Sequence, residues 1–341
     1  MTRRRAAAGA VLLALAAACG DATVETPPAD TATDVSRPEP LIVFASHEDP
    51  AFLPGLFADY TRRTGVRVTV RHRDDAANVD DVVTKLSSPQ PDVLITRSVA
   101  GAWRAADEGM LRPLVAAKTE AGIPDRLRDP DGYWVALGYS IAVIVYDAGR
   151  IDADAVSDYA MLGGEALRGR LCLSSSTLPS NLTLVANLVA VEGRRPAEII
   201  VRGWIRNLAV PPFDSEGALL DAIARGTCAL GIVTSRAAAM QRDRDTGASF
   251  AVHVPQPVYG DAVAAGVGRH ARNPDAAADF IDWLSRRPPQ AALAVSDRLY
   301  PGNPAARRDG VPNEAMADSS LVNGGAFAEE AILLAERARY P

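Results

Sequence analysis

The run Leu41-Ile42-Val43-Phe44-Ala45 contains no polar residue, and Phe52, Leu53, Leu56, Phe57 and Tyr60 follow it at helical spacing. An unbroken apolar run of this length marks a strand covered on both faces, and helices must then supply the cover. Gly65 stands where such a helix should stop, and Val66 to Val70 alternates as the next strand. The cycle recurs at Asp92-Val93-Leu94-Ile95, followed by a helix through Trp103 and Ala106 that halts at Gly109. Further strands are predicted at Ala142 to Tyr146, Leu171 to Leu173, Leu230 to Val233, Ala251 to Val254 and Ala262 to Val267. A strong helix opens at Asn273-Pro274, where Asn273 can cap and Pro274 suits the first position. It buries Phe280, Ile281 and Leu284 and stops before Pro288-Pro289. Strands alternating with helices predict an α/β fold built on parallel sheets.

The first nineteen residues have a different character. Arg3, Arg4 and Arg5 precede an apolar stretch from Ala6 to Ala18, too short for a membrane span of roughly 20 residues. It ends in Ala16-Ala17-Ala18-Cys19-Gly20, with Leu15 four places before the cysteine. This is the architecture of an export signal, and small residues before a cysteine resemble the site read by the bacterial lipoprotein signal peptidase. The reading is a signal peptide over 1–18, a lipid on Cys19 and a Pro- and Thr-rich tether over 19–39. The expected location is the periplasm or cell surface, held to a membrane by the lipid. Outside the cytoplasm the remaining pair, Cys172 and Cys228, is expected to form a disulfide.

With 36 Lys and Arg against 42 Asp and Glu, the net charge is −6 and no basic stripe appears, so nucleic acid is not an expected partner. No Gly-x-Ser-x-Gly elbow, His-Glu-x-x-His helix or Walker-type phosphate loop is present, and the four His are scattered without ligand spacing. The chain reads as a binder and not an enzyme.

Several stretches, in order, carry a family resemblance. They are Asp92 to Thr96; Trp103-Arg104-Ala105 and Glu108-Gly109-Met110-Leu111; Trp134 to Asp147; Gly169 to Cys172 with Asn181 to Val185; Trp204 to Ala209; Ala224 to Cys228; Ala276 to Ser285; and Tyr300 to Pro304. Together they resemble the substrate-binding proteins of bacterial ferric-iron ABC transporters, of the type II periplasmic binding protein class. The resemblance implies two α/β lobes joined by crossing strands, lobe one over 40–145 and 258–341, lobe two over 146–257. It implies capture of a small ligand or metal ion between the lobes by hinge closure, and delivery to an ABC transporter permease. A monomer with no resident cofactor is the expectation; ferric iron would be the transported ligand.

The same resemblance points to site residues. His47 and Glu48 follow the first strand, where the family often places a His or Tyr ligand, and Tyr139 lies near a position some relatives fill with a Tyr ligand. His47 and Tyr139 are the candidate metal ligands. Ser174, Ser175 and Asn181 open lobe two, where backbone N–H groups suit an anion. Tyr259 lies near the second crossing. One departure matters: the family's pair of adjacent tyrosines after the strand at 230–233 is here Thr234-Ser235-Arg236-Ala237. Arg236 from that strand end and Arg97 from another suit an anion better than a bare trivalent cation. Ser235, Arg236 and Arg97 therefore join the ligand-binding candidates. Two ligands stay open: ferric iron or an iron complex, and a small organic or phosphorus-containing anion. A receptor feeding a sensor is a further alternative.

Overall fold

The apolar run at 41–45 forms β1 (Leu41–Ala45), buried at four of its five residues. It takes β2 (Val68–His72) on one side and β3 (Val93–Thr96) on the other, both parallel to it. Helix α1 (Phe52–Thr64) returns the chain between β1 and β2, buries Leu53, Phe57 and Tyr60, and ends on Gly65 at φ 76°. The computed structural model describes residues 39–47, 49–73, 75–84, 88–114, 122–244, 249–307 and 316–341. The expected signal and tether up to residue 38, Cys19 with its lipid, and Glu48 lie outside the described residues.

Helices α2 (Asp75–Val83) and α3 (Val99–Asp107) lead into and out of β3, and Ser98 caps α3 through its side chain. Short β4 (Leu111–Arg112) precedes β5 (Trp134–Tyr146), which is thirteen residues long and changes sheets along its length. From Trp134 to Ile141 it pairs with β9 (Gly260–Gly268); from Ala142 to Tyr146 it pairs with β7 (Leu230–Thr234). Beyond the switch lie β6 (Leu171–Cys172), parallel to β7, and β8 (Ala251–His253), antiparallel to β5. β10 (Tyr300–Pro301) pairs with β5 near its start. The strand order β2-β1-β3-β9-β5-β7-β6 is one path through two bodies, which is the two-lobed α/β architecture.

The expectation of parallel sheets holds only at the two ends of this path. β5 carries the chain out of the first lobe and β9 brings it back, so these two run antiparallel, and β9 is antiparallel to β3 as well. Helices α4 (Pro179–Glu192), α5 (Arg194–Arg206), α6 (Glu216–Ala224) and α7 (Ser235–Arg244) belong to the second lobe. Cys172 and Cys228 are bonded, with Cα atoms 5.9 Å apart, and tie the end of β6 to the approach to β7.

The chain finishes with α8 (Pro274–Leu284), α9 (Arg287–Asp297), α10 (Ser320–Ala326) and α11 (Ala328–Ala338). Asn273 caps α8, accepting the Ala276 N–H. Two expectations need correction here. Pro288-Pro289 does not merely end α8; the pair sits in the first turn of α9, where a missing N–H costs nothing. The assignment of 258–341 to lobe one also fails at its end. Ala331, Leu334, Ala335, Ala338 and Tyr340 share the lobe-two core with Leu184, Val201 and Trp204. The reason is α4, buried at every position from Thr183 to Val189, which needs apolar cover on more than one side. The lobe-one core gathers Phe57, Tyr60, Phe280, Ile281 and Leu284, with Phe57 and Tyr60 edge-on to Phe280. No helix among the described residues is long and apolar enough to cross a membrane.

Candidate functional site

In an open α/β sheet the residues just beyond parallel strands face a common crevice. Here β1 runs out into Ser46 and His47, and β3 runs out into Arg97. On the lobe-two side β7 passes directly into α7, whose second residue is Arg236. All three side chains meet the last residue of α9, Asp297. Its Oδ1 lies 3.5 Å from Arg97 Nη1 and 3.6 Å from Arg236 Nη2, and its Oδ2 lies 3.4 Å from His47 Nε2. The Asp297 side chain is only 5% exposed, and an ionised carboxylate so far from water needs countercharge. The two arginines supply it from opposite lobes.

His47 is held firmly. Its ring stacks on Phe52 at 4.5 Å, and Nε2 also lies 3.2 Å from Ser296 Oγ. Nδ1 is 3.0 Å from both N and O of Asp49, so that edge accommodates either tautomer. His72 Nε2 contacts the His47 backbone, 3.0 Å from its N and 2.7 Å from its O. On the far side of Arg236, Glu216 accepts the Thr234 N–H at 2.5 Å and the Thr234 hydroxyl at 2.9 Å. Burial pushes the Glu216 carboxyl up, while the Thr234 bonds and the Arg236 charge act the other way. Below Asp297 lies a cavity little larger than a water molecule. Its polar end is Ser46, His47, Arg97 and Asp297, and its floor includes Leu53, Ile95 and Leu137.

The structure thus brings together His47, Arg97 and Arg236 from the sequence-predicted residues. Ser235 adjoins Arg236, but its Oγ accepts the Ile141 N–H at 3.1 Å and so braces the point where β5 changes sheets. Tyr139, Tyr259, Ser174, Ser175 and Asn181 lie elsewhere. Tyr139 is 1% exposed, stacks on Tyr300 at 5.3 Å and belongs to the core that holds Trp134 and Ile141, whereas Leu137 faces the cavity. The irregularity between Ala136 and Gly138 separates these two directions. His47 and Tyr139 therefore do not form a ligand pair.

Tyr259 is likewise buried, stacked on Tyr159 at 5.7 Å within the lobe-two core. Burial, with Glu192 nearby, pushes its phenol up to about 12, the wrong direction for a phenolate ligand. Ser174 and Ser175 bond Tyr340 and Pro341, and Asn181 bonds the Ser174–Ser175 backbone. Asn181 Nδ2 donates to the carbonyls of Ser174 and Ser175, Tyr340 Oη donates to Ser174 O at 2.6 Å, and Ser176 N donates to Pro341 O at 2.7 Å. The N-terminal end of α4 is closed by this segment and offers no open anion site.

Asp297 and Glu216 were missed by the sequence reading. Asp297 had a signal: Pro288-Pro289 followed by Gln290-Ala291-Ala292-Leu293 is a helix start, and Asp297 is the one acid in that helix. Glu216 had none beyond following Ser215, which caps α6.

Chemically, two guanidinium groups and an imidazole edge around one carboxylate form a site for anionic oxygen. Among the described residues no group of three or more His, Cys, Asp or Glu is placed to hold a metal ion.

Comparison with known proteins agrees with this architecture. Residues 55–318 match the family described as bacterial extracellular solute-binding protein. Iron uptake protein A1 of Synechocystis sp. (strain ATCC 27184 / PCC 6803 / Kazusa) is 27% identical over 256 residues, 72% of this chain and 71% of that protein. Among solved structures, Trichodesmium IdiA (FutA) in complex with iron and citrate ligands superposes with a TM-score of 0.81 at 21% identity, covering 89% of this chain and 100% of that one. The ferric binding protein from Campylobacter jejuni gives 0.79 at 19% identity, covering 88% and 100%. The family of the match is one of solute-binding proteins. This chain's fold, its crevice at the strand ends and the match over most of its length make it a member of the bacterial extracellular solute-binding protein family.

Proposed function

We propose that the protein is the substrate-binding component of an ABC importer, exported and held to the membrane through Cys19, and that it captures ferric iron as an anionic complex between its lobes. The observation that carries the reading is the convergence of Arg97 and Arg236, one from each lobe, with His47 beside them. Two cations facing one another repel a bare trivalent ion but hold a chelate whose carboxylates project outward. The kinship to an iron uptake protein and the fold shared with an iron- and citrate-bound protein support iron as the cargo. Hinge closure would follow from contacts on both sides of the crevice, since a ligand that touches both lobes favours the closed arrangement.

A second reading rests on the same arginines: a small organic or phosphorus-containing anion taken without iron. Titration calorimetry with ferric citrate, citrate alone, inorganic phosphate and iron(III) nitrilotriacetate separates the two. Ferric chelates bound at least tenfold more tightly than the free anions support iron capture. Equal or tighter binding of the free anions supports the second reading, and silence with all four sinks both. In either case Arg236→Gln, which removes the lobe-two cation, should weaken binding by about tenfold or more, the usual loss for a hydrogen bond to a charged group.

A further inference from the structure

We propose that Asp297 is a resident anion: in the empty protein its carboxylate fills the place that the ligand's anionic group takes in the loaded one, and so holds the two lobes together. The inference rests on the reading that the Arg97–Arg236 crevice is the ligand site.

Four observations carry it. First, Asp297 has no local reason to be charged where it is. It closes α9 at the C-terminal end, where the helix dipole disfavours an anion. Its stabilisation comes from groups on three other parts of the chain, one of them in the other lobe. Second, those groups surround it at 3.4 to 3.6 Å. Dedicated charge-assisted bonds are shorter, about 2.7–2.9 Å, so Asp297 meets these groups as ion pairs and not as tight hydrogen bonds, contacts that another anion can replace. Third, the neighbouring residue repeats the connection with the signs reversed. Arg298 pairs with Asp243, which lies along α7 from Arg236 on the lobe-two side. The pair Asp297-Arg298 on lobe one thus meets Arg236 and Asp243 on lobe two. Arg298 takes φ 54°, a left-handed conformation that a non-glycine residue adopts at a cost, and the Asp243 pairing accompanies it. Fourth, the cavity beside Asp297 holds little more than a water molecule. A ligand that bridges Arg97 and Arg236 meets Asp297 already in contact with both.

A specificity rule follows. The incoming group must displace a carboxylate that is already in place, so it has to bring more negative charge or more oxygens than one carboxylate does. Polycarboxylates and phosphate monoesters meet that condition, whereas neutral solutes and free cations do not. Asp297 is a specificity-determining residue that acts by competing with the ligand.

The test compares the mature wild-type protein with Asp297→Asn, which keeps the size of the side chain and removes its charge. Ligand-free samples are measured by small-angle scattering, and citrate is titrated into both. The expected result is a larger radius of gyration for empty Asp297→Asn and citrate binding tighter by about fivefold or more, because the competitor and one lobe-to-lobe contact are both gone. Unchanged scattering with citrate affinity equal to or weaker than wild type overturns the proposal. Should Asp297→Asn fail to fold, Arg298→Gln breaks the second contact alone; an enlarged empty protein supports the latch, and an unchanged one refutes it. The two readings fail separately. If wild type binds none of the anions, the proposed function falls and takes the resident-anion role with it. If wild type binds citrate and Asp297→Asn binds no better, only the role of Asp297 falls.

Discussion

Asp261 sits in β9, where the chain crosses back into lobe one, and its Oδ1 accepts the N–H groups of Val99 and Ala262, both at 2.8 Å. Burial raises its carboxyl from 3.8 to about 6, although the bonds from Val99, Ser98, Ala262 and Thr183 act to lower it. The folded protein therefore holds this proton more tightly than the unfolded chain does. The stability it contributes is complete below about pH 4 and is lost as the pH rises through 6. Asp261→Asn stays neutral throughout and still offers an acceptor to Val99. Its stability relative to wild type should improve by up to about 3 kcal/mol between pH 4 and pH 7, measured by urea unfolding at each pH; a flat difference would show that Asp261 does not keep its proton. At this scale the sequence was readable where a residue follows a strand. His47, Arg97 and Arg236 each follow a strand end, and strand ends were legible from the apolar runs. Tyr139 and Tyr259 were not readable in the same way. Each lies in or beside a long crossing strand, and which face it takes depends on an irregularity and a sheet switch that no local pattern records.

Among the elements, β6 is one of the shortest, two residues that pair with β7 and are tied to its approach by Cys172–Cys228. The bond spans 56 positions. By loop-closure entropy alone a crosslink of that span contributes about 4 kcal/mol, an upper figure because unfolded chains keep some structure. The double variant Cys172→Ala/Cys228→Ala should therefore unfold at lower denaturant concentration. Wild type in reductant should fall toward the same midpoint, and coincident midpoints for oxidised wild type and the variant would remove the bond from the account. The cysteine pair was legible from count and compartment, because an exported chain with two cysteines left has one pairing to make. Helix α9 was not, because Pro288-Pro289 ends one helix and begins another, and proline has the same meaning to the eye in both roles. Losing α9 from the reading meant losing Asp297, the residue on which the site turns.

For the whole molecule, the last helix belongs to a lobe other than the one from which the chain reaches it. Leu334, Ala335 and Tyr340 complete a core begun by Leu184 and Trp204. Ending the chain after Phe327 would uncover that core at a cost on the order of 5 kcal/mol. It would also remove the Tyr340 bond to Ser174. The shortened protein is expected to melt well below the full one, with a red-shifted tryptophan emission as Trp204 meets water; an unaltered melting curve would count against this packing. The sequence by itself determined the alternation of strands and helices, the pairing of its two later cysteines and the strand ends that face the crevice. The first and last of these are local patterns, since burial on both faces of a strand or one face of a helix leaves a periodic trace within a few residues. Only the tertiary structure decided which lobe covers α4, which way the tyrosines turn, and that one carboxylate from α9 meets cations from both lobes. Those outcomes depend on groups far apart in the chain, and their energy comes from burial and charge at contacts that no stretch of sequence contains.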